Sequence, residues 1–392
     1  MLRPFALYIH VPFCAQKCPY CDFNTYATPK APEVEYVDAL VEELVAFSSD
    51  ERFRGRSIET IFFGGGTPSL LSAQAIGRVI ERAAALFSVV AEAEITIEAN
   101  PSTPSVARFR DLKAAGVNRV SFGVQSFTSE TLTLLGRDHS ARDADLSVQQ
   151  CVEAGIDNVS LDIIYGVPGQ ALRDLEADLL QAAALPLMHL SAYALSIEPG
   201  TPFFQRQERG VLHPADDEVV AEMMDVIPRV LASHGFSRYE ISNYARAGRE
   251  SRHNSIYWTG GDYLGIGAGA HSYCGEYNNG LLVSAARWST LAQPQAYMAA
   301  AKSNTTVSWR ERLSQPALAF EFFYLGLRRS QGVCAQDFAQ RFGCSWEDLF
   351  LDKLTELEQE GFIAQSADGN VQLTNAGIKL SDSVFERLAV GG

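Results

Sequence analysis

No stretch of this 392-residue sequence comes near the roughly eighteen consecutive apolar residues that a membrane-crossing helix needs. The first residues, Met1, Leu2, Arg3 and Pro4, lead straight into an apolar run. No charged segment, apolar core and cleavage site follow one another there, so no signal peptide is expected and the expected location is the cytoplasm. Excess positive charge is missing too. Lys and Arg number 32 against 47 Asp and Glu, for a formal net charge of −15. Such a surface repels polyphosphate, which argues against a nucleic-acid partner. There is no disulfide framework either: the seven cysteines are an odd number, three within eight residues and four (Cys151, Cys274, Cys334, Cys344) scattered.

Composition is that of an ordinary globular protein, with 47% hydrophobic and 20% charged residues. The length suits one large and one small domain. Short apolar runs alternate with helical patterns six times: strands near residues 6–12, 58–63, 94–98, 119–124, 159–165 and 190–196, and helices near 34–47, 73–87, 105–115, 143–154, 171–184 and 218–233. This predicts an α/β fold, a parallel sheet with helices outside, closed only as far as a partial (β/α)6 barrel over residues 1–245. In such barrels the chemistry sits at the C-terminal ends of the strands. Residues 246–310 read as a connecting segment, with a loop over 246–277. Residues 311–392 read as a winged-helix-like α+β module. It has helices at 316–329, 335–342 and 346–360, a hairpin turning at Asp368-Gly369-Asn370, and a last helix from about Asn375. Seven Lys and Arg against twelve Asp and Glu make this module acidic, so it reads as structural or partner-facing, with no DNA-binding wing.

The dense cysteines are Cys14, Cys18 and Cys21, spaced C-x3-C-x2-C just past the first strand. Thiolates are soft ligands for zinc or for iron–sulfur iron. Structural zinc prefers four ligands, usually as two separated pairs, and no second CxxC is present. Zinc with His10 as fourth ligand, stabilising a partner-binding protein, stays as an alternative. Three cysteines on one loop suit three irons of a cubane and leave the fourth open to another ligand. After the second strand comes Gly64-Gly65-Gly66-Thr67-Pro68, where glycines let backbone amides approach a ligand. Glu98, Gln125 and Asp162 fall at or near later strand ends, and Arg137 follows Gln125 by twelve residues.

Together these motifs resemble the radical SAM superfamily. The resemblance implies a [4Fe–4S] cluster on Cys14, Cys18 and Cys21, with S-adenosylmethionine chelating the open iron and one-electron reduction from a donor such as flavodoxin or ferredoxin. It implies a methionine-binding loop at Gly65, Gly66 and Thr67. Tyr8, Tyr20, Glu98, Gln125, Arg137 and Asp162 would line the same pocket.

Across nearly the whole chain the sequence is similar to the branch that holds the oxygen-independent coproporphyrinogen III oxidases and the HemW-type heme chaperones. Tyr-x-His-x-Pro-Phe-Cys from Tyr8, Gly-Val-Gln-Ser-Phe from Gly123 and Asp-Ile-Ile-Tyr-Gly-Val-Pro-Gly-Gln from Asp162 carry that likeness. The oxidases have a fourth cysteine two residues past the third, where this chain has Phe23, and a longer segment before the cluster. The chaperones have H-N-x-x-Y-W, present here as His253, Asn254, Tyr257 and Trp258. Imidazole is a common axial ligand of heme iron, and Tyr and Trp offer flat apolar faces to a porphyrin. The resemblance therefore implies heme binding and delivery to acceptor proteins, with peripheral membrane contact during delivery, ahead of oxidase activity. His253 is the expected iron ligand and His271 the alternative. Read without the resemblance, His253 is a satisfied loop histidine over packed aromatics. The glycine run 265–271 reads as a tight turn lining the S-adenosylmethionine pocket; a dinucleotide fingerprint would need a strand before it and a helix after it.

Overall fold

The computed structural model describes every residue except 1, 103, 104, 368 and 390–392. Six parallel strands build the barrel: β1 (Phe5–Val11), β2 (Ser57–Gly65), β3 (Ser88–Ala99), β4 (Arg119–Gln125), β5 (Asn158–Tyr165) and β6 (His189–Ala194). Six helices follow them in turn on the outside: α1 (Glu33–Ser48), α2 (Ala73–Leu86), α3 (Val106–Ala114), α4 (Ala141–Glu153), α5 (Leu172–Ala184) and α6 (Asp217–Ala232). The partial (β/α)6 barrel expected from the repeat is present. Local signals fix the helix starts. Ser72 accepts from the amide of Ala75, and Ser140 with Asp143 forms a reciprocal capping box.

The strands are buried on both faces, as a parallel sheet under helices requires. In β4, Val120, Phe122 and Val124 pack into the helical layer, while Arg119, Ser121, Gly123 and Gln125 alternate with them on the lumen side. The lumen is therefore polar, and there the site is built.

The segment 246–277, expected as a loop, is ordered structure. Ser251 caps a short helix, α7 (Arg252–Trp258), and two strands follow, β9 (Tyr263–Ile266) and β10 (His271–Asn278). With β7 (Ser237–Arg238), β8 (Asn243–Ala245), β11 (Leu281–Thr290) and β12 (Val307–Ser314), they extend the barrel into one twelve-stranded sheet. Its order is β12-β11-β10-β9-β1-β2-β3-β4-β5-β6-β8-β7. β9 lies parallel to β1, whereas β10, β11 and β12 run antiparallel to their neighbours. Residues 246–310 thus carry sheet as well as connection, and β12 crosses the 310/311 boundary expected from composition. Arg56 and Asp262, both buried, form an ion pair at 2.6 Å that ties the start of β9 to the start of β2.

Past β12 come α8 (Gln315–Gly326), α9 (Ala335–Phe342) and α10 (Glu347–Gln359), then β13 (Ile363–Gln365) paired antiparallel with β14 (Val371–Leu373), then α11 (Asn375–Lys379) and α12 (Ser381–Leu388). The expected turn residue Asp368 lies outside the described residues. A second core of Phe323, Phe338, Trp346, Phe350 and Phe385 holds this module together, and α8 and α9 seat it on β11.

Candidate functional site

The chain leaves β1 through Phe13 and Cys14, which pair with Tyr26 and Ala27 and close the cysteine loop on itself. The amide of Thr28 donates to the Cys14 carbonyl at 2.9 Å, and Lys17 Nζ donates to the carbonyls of Phe23 and Thr25. Cys14, Cys18 and Cys21 line one cavity of about 460 Å³ at the strand ends. Thr67 Oγ1 lies 3.7 Å from Cys14 Sγ, and Arg137 Nη1 lies 3.4 Å from Cys18 Sγ. Burial pushes the Cys14 and Cys21 thiols up, so binding a metal there means displacing their protons.

The donor set fits a cluster better than a single ion. Among the described residues no three His, Cys, Asp or Glu groups gather closely enough to hold one metal ion. His10, the fourth ligand that zinc would need, has both ring nitrogens engaged, Nδ1 with the Tyr8 hydroxyl and Nε2 with the Asn24 carbonyl, each at 3.0 Å. Three thiols spread around a cavity suit a cluster in which each cysteine takes a different iron.

The same cavity brings together Tyr20, Gly65, Gly66, Thr67, Glu98, Gln125, Arg137 and Asp162. Gly65 has φ of +115° and its amide donates to Glu98 Oε2 at 3.0 Å. Burial raises Glu98 to about 7, and Asp162 adds to the rise. Burial also raises Asp162, against hydrogen bonds from Ser191 and Ser121. Arg137 Nη2 donates to Asn100 Oδ1 at 2.7 Å and to the Gly123 carbonyl at 2.6 Å, which fixes the cation beside the cysteines. Gln125 holds φ of +71°, a left-handed conformation rare outside glycine, and such strain concentrates at functional sites. Tyr8 is placed differently: it borders the next cavity along.

That second cavity, of about 720 Å³, lies between the barrel mouth, β10 and α8. Its walls include Tyr8, Phe23, Tyr257, Trp258, Tyr263, His271, Tyr273, Arg287 and Tyr324. Phe23 and Gly65 border both cavities, so the cysteine loop forms part of the partition. The glycine run ends here and not at the cysteine cavity. A strand does precede it, but another strand follows, so the helix a dinucleotide site needs is lacking. Tyr36 donates to the His10 carbonyl and accepts from the amide of Ala268, and Glu43 accepts from that of Gly267, so α1 clamps the turn.

The structure divides the H-N-x-x-Y-W motif. Tyr257 and Trp258 face the aromatic cavity, whereas His253 and Asn254 face an inner chamber of the barrel. His253 is 1% exposed. Its Nδ1 bonds Thr60 Oγ1 at 2.8 Å and its Nε2 bonds the Tyr257 hydroxyl at 2.7 Å, so both ring nitrogens are engaged within the fold. The first residues of α7 point inward because α7 lies against β2, so the expected iron ligand His253 sits in the barrel and not in the aromatic cavity wall. His271 is exposed in the cavity wall, and its ring makes no hydrogen bond among the described residues.

Comparison with known proteins decides the family. A model described as the radical SAM superfamily matches residues 8–182, and one described as the HemN C-terminal domain matches residues 313–380. The heme chaperone HemW of Bacillus subtilis is 36% identical, covering 96% of this chain and 97% of its own. That of Escherichia coli is 38% identical, covering 98% of each. The chain belongs to the HemW family. Among solved structures, coproporphyrinogen III oxidase (HemN) from Escherichia coli, a radical SAM enzyme, superposes with a TM-score of 0.83. At 23% identity, over 98% of this chain and 90% of that one, it shows a shared fold.

For a HemW-family chain, the residues that the sequence did not single out are Arg287 and Glu321 around the aromatic cavity and Arg119 below it, while His10, considered only for zinc, also borders that cavity. Arg287 carries an ion pair to Glu321 at 2.6 Å and faces the cavity with it. Burial lowers His253 to about 3, and Arg119 adds to the effect. Between that value and the ordinary value near 6.5 the unfolded chain binds the extra proton, so this imidazole's contribution to stability falls as pH drops. The expected slope is about 1.4 kcal/mol per pH unit from this side chain. Chemical denaturation at pH 7, 6 and 5 should show a shallower acid loss in His253→Gln than in the parent.

Proposed function

We propose that this HemW-family protein is a heme chaperone that carries a [4Fe–4S] cluster on Cys14, Cys18 and Cys21. S-adenosylmethionine lies beside it against Gly65–Thr67, Glu98, Gln125, Arg137 and Asp162. Heme occupies the neighbouring aromatic cavity and passes from there to an acceptor protein. A small reductant protein such as flavodoxin or ferredoxin supplies electrons to the cluster. The observation that carries the heme assignment is the 720 Å³ cavity itself, within the usual range of about 300–1,000 Å³ for small-ligand sites. It joins flat aromatic walls to one imidazole, His271, whose ring makes no hydrogen bond among the described residues.

His271 is the proposed iron ligand. Burial and then Arg287 lower its pKa, so the ring is neutral at pH 7 and presents a lone pair. Anaerobic titration with hemin, read at the Soret band, tests this. The parent should bind with a shifted Soret band. His271→Ala should weaken binding on the order of tenfold, about 1.4 kcal/mol, and alter the band. His253→Gln should leave the band in place. No hemin binding by the parent would sink the reading. A band altered by His253→Gln but untouched by His271→Ala would return the ligand to His253. Conversion of coproporphyrinogen III by the reconstituted protein would favour the oxidase instead.

A further inference from the structure

Beneath both cavities lies a third, a chamber of about 170 Å³ inside the barrel. Arg119, the first residue of β4, projects into it from between Thr96 on β3 and Asn158 on β5. It is 2% exposed. Among the described residues its guanidinium is in no ion pair, and its Nε is buried without a hydrogen-bond partner. Arginine does not escape this by losing its proton, and a buried charge left unpaired costs several kcal/mol.

The other polar groups around the chamber are mostly committed. His253 is engaged on both nitrogens, and so is His189, with Ser160 and Tyr239. Two carboxylates face the chamber, Glu98 and Asp162, and neither comes within ion-pair distance of Arg119. Glu98 is instead bonded by the Gly65 amide, and Asp162 by Ser121. The fork and the two acids stand around an open space without meeting. Burial raises both acids, Glu98 to about 7, while the charge of Arg119 across the chamber works against the rise in each. Tyr8, Glu98 and Tyr257 also border the aromatic cavity, and Glu98, Ser121 and Asp162 border the cysteine cavity, so the chamber adjoins both.

We infer that this chamber is a carboxylate-binding site in which Arg119 supplies a bidentate guanidinium fork. The carboxylate comes from one of two sources. One is a propionate arm of a tetrapyrrole in the aromatic cavity, which rests on the heme-chaperone reading. The other is a free small carboxylate, which does not.

The first arm of the test uses acetate on the full chain, followed by thermal unfolding against sodium chloride at equal ionic strength. A ligand of the native state at ten times its Kd raises the midpoint by about 2 °C or more. That rise should be absent in Arg119→Met and partly kept in Arg119→Lys, which retains the charge without the fork. The second arm compares hemin with its dimethyl ester. If the propionate is the guest, Arg119→Met binds hemin on the order of tenfold more weakly and the ester as the parent does. If hemin binding is unchanged while the acetate effect holds, the guest is a free carboxylate. If acetate acts no differently from chloride and Arg119→Met leaves hemin affinity unchanged, the inference is overturned, and Glu98 and Asp162 balance Arg119 through water. A parent that binds no hemin defeats the heme reading and the propionate source, while the acetate arm still decides the site. Should Arg119→Met fail to fold, Arg119→Lys carries the comparison: it should lose part of the acetate rise, and an undiminished rise would overturn the role of the fork.

Discussion

Cys18→Ala should take bound iron from about four atoms per chain in the anaerobically reconstituted protein to below one, with sulfide falling in parallel. Cys14→Ala and Cys21→Ala should do the same. The three thiols line one cavity, and His10, the imidazole considered as a ligand, is held on both nitrogens. Cys18 is the most informative of the three. Its sulfur lies 3.4 Å from Arg137 Nη1, so removing the side chain also removes a partner of a half-buried cation that borders the proposed S-adenosylmethionine site. Cys334→Ala and Cys344→Ala are the controls. Both residues belong to the C-terminal module, away from the cluster cavity, and iron content should be unchanged. Iron and sulfide analysis on the five variants checks the pattern. Zinc without sulfide in the parent would replace the cluster by a structural metal.

The barrel was legible in the sequence because its signals are local. Each strand is a short apolar run, each helix has its own period, and the caps at Ser72 and Ser140 sit where the patterns begin. The cysteine loop was legible for the same reason. The aromatic cavity was not. Its walls come from β10, α7 and α8, and only the parallel pairing of β9 with β1 brings them over the barrel mouth. β9 is four residues long and contains a glycine, too little to read as a strand alone. The cap at Ser251, which accepts from the Asn254 amide, was a readable helix start that the polar surroundings disguised. Arg119 shows a deeper limit. The alternation of Val120, Phe122 and Val124 with Arg119, Ser121 and Gln125 looks like one buried and one solvated face. In a barrel the polar face is the lumen, and alternation carries no information on which side is outside. The orientation of His253 was not legible either: a histidine beside aromatics reads the same whether its ring faces a ligand cavity or Thr60.

Gly66→Ala should disable the site while sparing the fold. A Cβ at this position would lie 2.6 Å from the Phe13 carbonyl oxygen and 3.0 Å from Cys14 Sγ. The carbonyl is backbone and also accepts the amide of Thr67 at 2.8 Å, so it has no room to swing aside. Relief requires the Phe13–Cys14 bridge to shift relative to the end of β2, which displaces the first cluster ligand from the glycine loop. Overpacking of this kind costs about 1–3 kcal/mol, less than the roughly 5–15 kcal/mol of a typical fold's net stability, so far-ultraviolet circular dichroism should look native. S-adenosylmethionine affinity should fall on the order of 10- to 100-fold, because about 1.4 kcal/mol of misplaced contact is already tenfold. Gly169→Ala separates this from generic backbone strain. Gly169 has φ of +80°, yet nothing lies within 4 Å of the place an added methyl group would take. That variant should lose about 1 kcal/mol of stability with S-adenosylmethionine binding intact. Equal losses of affinity in both variants would mean that the close approach of the glycine loop to Cys14 does not govern the site.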